Sequence, residues 1–291
     1  MTSAIDEAIY MNNEGTTLVR QCQYDLALQS FTSVLQIIKL LAPIVDEEGK
    51  HANYHHYCYD EDSNNDMNND MDIDTADDNT TRSIPSSTVP DTDIVPPTKF
   101  RQRKLQHFVF RDPIIIPPES IIQSSASSAS LSPALILSKL LMVAMYNLAL
   151  TFHLSALSLS SSTSTSTSTS TSNRKKNERM KKMFVRSKKL YEIVLEMHLD
   201  DSDDDDDDID INMDSLFMLA LTNNLGLIYR TMNDKVRSDI CFTNMFSTMM
   251  YLMDSHESVQ SNIKERIWDG LLSNAMNILF KHTYEVAAAA A

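Results

Sequence analysis

Glycine is the residue this chain has least room for: four in 291 positions, against a usual share of ~7%. β-rich and nucleotide-binding folds use glycine for turns and phosphate loops, so the shortage turns the reading toward helices. No Gly-rich phosphate loop, nucleophile elbow or HExxH pair occurs in the sequence. Neither catalysis nor a cofactor is expected. Basic residues are also short, with 25 Lys and Arg against 40 Asp and Glu and a formal charge of −15, which argues against a nucleic-acid partner. The cysteines Cys22, Cys58 and Cys241 are far apart and odd in number, so they form no disulfide framework and fit a reducing compartment. The first twenty residues carry Asp6, Glu7 and Glu14 without a basic start or an apolar leader core. An intracellular protein, cytoplasmic or nuclear, is expected. The most apolar stretch, 134–152, has Lys139 near its start and Asn147 within it. The run between them falls short of the ~20 residues a bilayer span needs, so it reads as a buried bundle helix with no membrane partner.

What the chain does have is methionine, seventeen of them, together with many leucines. Unbranched side chains lose little rotamer freedom in a helix, and the fold class is all-α. Residues 1–43 form a first helix pair, its second helix carrying Leu26, Ala27, Phe31, Val34, Leu35, Ile38 and Leu41 up to a stop at Pro43. Residues 44–131 form a mostly disordered insert by composition. Within it FVFRDPIIIPPE, 108–119, reads as an extended strap on the helices, β-branched and aromatic but broken by Pro113, Pro117 and Pro118. A second pair covers 132–199, interrupted at 159–182 by a Ser/Thr alternation and the basic run RKKNERMKK. An acidic loop at 200–212, a third pair at 213–253, a capping helix at 254–284 and an alanine tail at 285–291 follow.

Self-similarity carries the strongest signal. In LTNNLGLIYRTMNDKVRSDICFTNMFSTMMYL, 221–252, a glycine at Gly226 precedes an aromatic at Tyr229, a small residue at Ser238 and an aromatic at Phe242. The first pair repeats this with Gly15, Leu18, Ala27 and Phe31, and the second with Ala149, Phe152, Ser187 and Tyr191 once its insertion is allowed. Small residues on one helix admit the aromatic knobs of the other. This code resembles the tetratricopeptide repeat. The resemblance implies a short right-handed α-solenoid of antiparallel helix hairpins, three degenerate repeats closed by a C-terminal capping helix.

In such arrays the first helix of each repeat lines a concave groove, and its sixth position faces the ligand. That position is Asn13, Asn147 and Asn224 here. A carboxamide offers both an acceptor and donors, the complement of a peptide backbone, so the three form a ladder suited to an extended segment. Thr16, Arg20, Leu150, His153, Leu227 and Arg230 would fall on or near the same face. The cationic clamp by which some of these domains hold a chaperone's C-terminal carboxylate is missing, with Asn12, Thr16 and Ala220 at its places. The function this implies is an adaptor that takes another protein's extended peptide or helix in the groove. The alternative is a structural subunit of a larger assembly, or a scaffold associating with itself through its methionine-rich helices. The sequence does not fix an oligomeric state.

Other constellations carry less. His51, His55, His56 and Cys58 have metal-ligand spacing in part but no second ligand pair, so no metal is expected. The aspartates at 203–208 lack the glycine and terminal glutamate of an EF-hand loop. Ser202 ahead of them fits an acidophilic-kinase substrate. The basic run reads as an exposed helix face.

Overall fold

The computed structural model describes residues 2–46, 108–116, 133–161, 170–201, 211–255 and 265–290. Among the described residues there are seven helices and no strand: α1 Thr2–Arg20, α2 Tyr24–Asp46, α3 Pro133–Ser161, α4 Ser170–Asp201, α5 Ile211–Thr231, α6 Lys235–Ser255 and α7 Glu265–Ala290. The class is all-α. These residues fall within one unit of the chain, and residues 55–106 make up another that lies outside the description. The histidine cluster around Cys58, Ser202 and the aspartates at 203–208 also lie outside the described residues.

Two differences from the sequence reading concern helix ends. Helix α2 does not stop at Pro43 but carries it inside, three residues before its end. A proline that close to a terminus disturbs little of the ladder that follows it. The basic run at 174–182 lies on α4, in line with its reading as a helix face, and α4 starts at Ser170, while residues 162–169 lie outside the described residues. Helix α7 continues through the alanine tail as far as Ala290, in keeping with alanine's helix propensity.

Packing is heaviest between α3 and α4, α1 and α2, α5 and α6, and α2 and α3, so most neighbours in sequence are also neighbours in space. The first and third pairs share one frame. Equal intervals along the chain separate Gly15 from Gly226, Phe31 from Phe242, and Cys22 from Asn233. Cys22 and Asn233 hold the left-handed conformation after the first helix of each pair, at φ 61° and 64°. The same backbone bonds close both turns: Gln23 N–H donates to Leu18 C=O at 2.9 Å, and Asp234 N–H to Tyr229 C=O at 2.8 Å. In this frame each glycine faces a phenylalanine. A Cβ at Gly15 would lie 2.7 Å from the Phe31 ring, and one at Gly226 2.8 Å from that of Phe242. Both rings are fully buried. The middle pair sets buried Ala149 and Tyr191 at the corresponding places, with Ser187 Oγ donating to Ala149 C=O at 2.7 Å.

Helices α2 and α3 each contain a window long and apolar enough to cross a membrane by length and composition. The α3 window is 78% buried within the protein, the α2 window 39%.

Replacing a mid-helix glycine with alanine ordinarily stabilises by about 1 kcal/mol. Here the added methyl meets the knob, and Gly226→Ala is expected to destabilise by about 1–3 kcal/mol. Combining it with Phe242→Leu should cost less than the two changes summed, read from urea midpoints.

Candidate functional site: an asparagine ladder holding a strap

Residues 108–116 form no helix or strand, and they lie across α1, α3, α5 and α7. Four asparagines each hold one strap residue by both its main-chain groups. Phe108 N–H donates to Asn274 Oδ1 at 3.1 Å while Asn274 Nδ2 donates to Phe108 C=O at 2.6 Å. Asn224 takes Phe110 the same way, 3.0 Å in each direction. Asn147 takes Ile114 at 2.8 and 2.9 Å, and Asn13 takes Ile116 at 3.0 and 2.8 Å. Within each half the bonded residues alternate. An extended chain turns the N–H and C=O of every second residue to one side, so each carboxamide stands where a neighbouring strand would.

Two further asparagines complete the site. Asn12 accepts from Asn147 Nδ2 at 3.0 Å and donates to Ile114 C=O and to Asn13 Oδ1, each at 3.3 Å. Asn223 accepts from Asn274 Nδ2 at 2.7 Å and donates to Phe108 C=O at 3.2 Å and to Asn224 Oδ1 at 3.1 Å. The ladder is therefore two equivalent clusters of three. Each is an Asn-Asn pair on one helix and a single asparagine on the next odd-numbered helix. Between them Arg111, Asp112 and Pro113 bridge the gap, and among the described residues no carboxamide takes Asp112. Tyr191 supports the second cluster from behind, its hydroxyl accepting from Asn224 Nδ2 at 3.3 Å.

Burial explains why so many carboxamides converge. Asn12, Asn147, Asn223 and Asn224 are fully buried and Asn274 nearly so. An unpartnered amide there would cost on the order of 1–3 kcal/mol, and the strap satisfies them. Its side chains add anchors. Phe110 is buried, Phe108 and Val109 pack against the core of α5, α6 and α7, and Phe108 lies so close over Gly270 that any side chain there would overlap its ring.

The three rungs read from the sequence, Asn13, Asn147 and Asn224, thus meet on one segment. Their neighbours do not all join them. Thr16 is buried and its hydroxyl bonds back to Asn13 C=O at 2.7 Å. Arg20 is exposed in the last turn of α1. Leu150 and Leu227 are core residues. Arg230 is partly exposed, with Nη1 buried and no hydrogen-bond partner for it among the described residues. His153 is buried against the rings of Phe184 and Tyr191. Its pKa is lowered to about 3, first by burial and then by the Arg111 charge. Of the packing residues, Ala27 is buried, Phe152 sits beneath the Arg186 guanidinium, and Tyr229 donates to Glu192 Oε1 at 2.5 Å. Glu192 also binds Lys188 and Arg237, tying α4 to α5 and α6.

Asn12, Asn223 and Asn274 were missed by the sequence reading. The Asn-Asn doublets at 12–13 and 223–224 were a usable signal, as was an asparagine one turn beyond Gly270. In comparisons with protein-family models, curated proteins and solved structures, nothing matches this chain.

Two outcomes test this site. Asn224→Ala leaves the N–H and C=O of Phe110 without partners where water does not reach. It should cost about 1–3 kcal/mol and speed Phe110 amide exchange, whereas Asn13→Ala, at a half-buried rung, should cost less. The second concerns acid. The folded His153 pKa lies below the unfolded value of ~6.5, so the unfolded chain binds one more proton between the two. Its contribution is whole above ~6.5 and falls by about 1.4 kcal/mol per pH unit on the way down toward the folded value. Urea midpoints from pH 7 to 4 should fall less steeply in His153→Phe.

Proposed function

We propose that this chain is a non-catalytic protein-interaction scaffold of the tetratricopeptide kind, a short right-handed solenoid of helix hairpins whose concave face grips extended polypeptide by its main chain. The observation that supports it is the ladder itself: four carboxamides, each bonded to both main-chain groups of one strap residue. Three rungs stand on α1, α3 and α5, the helices that the repeat reading places along the groove, and the fourth stands on α7, which that reading makes a cap. The strap's reach agrees. Eight extended steps at ~3.3 Å give about 26 Å, near three interaxial distances of ~9 Å. The same geometry favours an extended ligand over a helical one, because a helix has already paired its own N–H and C=O groups.

In this reading α7 is more than a cap, since it adds a fourth rung. The partner is another protein, and the occupant present in the structure is the chain's own strap. The second reading, a structural or self-associating subunit, draws on the apolar residues that α6 exposes, Val236, Ile240 and Tyr251 among them.

Affinity capture with the wild-type chain and an Asn147→Ala/Asn224→Ala variant separates these. The scaffold reading expects at least one captured protein to fall several-fold with the variant while the helical circular dichroism persists. Captured proteins unchanged in amount would remove it. A mass that rises with concentration and drops on Ile240→Glu would favour the second reading.

A further inference from the structure

The strap fills the ladder without being specified by it. The eight bonds between the four rungs and the strap all use its main-chain N–H and C=O groups, and any extended segment carries these at the same spacing. Selection is left to a few side chains. Phe108 has a seat only because Gly270 has no side chain. Phe110 and Pro113 are buried, whereas Arg111, Asp112 and Ile115 are exposed. The site therefore reads a short pattern: an aromatic, an apolar residue, an aromatic, two free positions, then proline.

The strap is also held in two separable halves. One three-asparagine cluster holds 108 and 110 and the other holds 114 and 116, with no rung between them. An incoming segment can take one half while the strap keeps the other, so the buried carboxamides need never all stand empty at once. In sequence the strap is joined to α2 through 47–107 and to α3 through 117–132, so it acts as a tethered competitor.

From this we propose that the strap is an exchangeable occupant, and that the ladder takes in trans an extended segment of another protein carrying the aromatic-apolar-aromatic-x-x-proline pattern. This rests on the scaffold reading and adds to it the ligand's class and the chain's own competition for the site.

The test uses the full chain with residues 108–116 replaced by an equal length of Gly and Ser. The probe is a fluorescein-labelled peptide of sequence 106–119. The substituted chain is expected to bind it saturably, and the wild-type chain at least a hundredfold more weakly because its own strap competes. Phe108→Ala/Phe110→Ala in the peptide should weaken binding at least tenfold. Gly270→Val in the chain should weaken the parent peptide but spare a Phe108→Ala one. A helical substituted chain that takes up no peptide would overturn the proposal. If that chain does not fold, protease sites placed within 101–106 and 120–125 of the full chain allow the strap to be cut free in place. Exchange for labelled peptide within hours supports the proposal, and a nicked, folded protein that never exchanges overturns it. Mixed dimers of wild-type and substituted chains, formed more readily than peptide uptake, would make the occupant a second copy and overturn the foreign partner. Uptake failing while capture stays sensitive to Asn147→Ala/Asn224→Ala would leave the scaffold reading standing alone.

Discussion

A buried carboxamide must find partners for one acceptor and two donors, and that requirement organises this molecule. Five asparagines lie almost wholly out of water on four different helices, none of them next to another of the four in chain order. Helical main-chain groups are already paired, so the asparagines turn to one another, to Tyr191 and to the unpaired main chain laid across all four helices. The strap is thus as much a part of the interior as any helix, although it has no regular structure of its own. It links Asn13 of α1 to Asn274 of α7, which have few other ties through the core.

The second organising element is the repeated frame. The first and third pairs match in turn conformation, turn bonding, glycine–phenylalanine contact and Asn-Asn doublet, and the matching residues are equally spaced. The middle pair departs from it in a way that serves its neighbour. Its knob is Tyr191 in place of phenylalanine, and the hydroxyl so gained supports Asn224 on the next pair. Burial pushes the Tyr191 hydroxyl's pKa upward, and the bond it accepts from Asn224 opposes that shift. Glu192, one residue on, binds Tyr229 and Arg237. One turn of α4 thereby fastens the middle pair to the third through both the ladder and the exposed ion cluster.

Helix class, the glycine–aromatic code and three rungs were legible in the sequence because each is a matter of spacing along one helix or across one short turn. A strap was also legible, by its prolines and β-branched run, and residues 108–116 show it, while 117–119 lie outside the described residues. The meeting of the two was not. Asn13 and Ile116 are separated by a long polar stretch, and nothing local says that a groove and a segment of one chain belong together. Asn12 and Asn223 were passed over for a different reason. The repeat resemblance gives only the sixth position to a ligand, and Asn12 entered only as a place where the cationic clamp is missing. Both reach the strap carbonyl while also bracing the single asparagine of the next helix. Asn274 was hidden by the role given to α7: a helix read as a cap has no groove position to search.

The choice of asparagine over other polar residues follows from the same constraint. Serine or threonine supplies one donor and tends to bond back to its own helix, as Thr16, Thr151 and Thr222 do here. Glutamine has the right head on a longer, freer stem, and ordering it costs more rotamer entropy. A carboxylate has no donor for the strap's C=O and would bury charge. Asparagine alone combines a short stem with both halves of the pairing, and two of them in succession brace each other. The ladder holds the strap by its main chain, and the strap's side chains add their own seats beside it, above all the space that Gly270 leaves for Phe108.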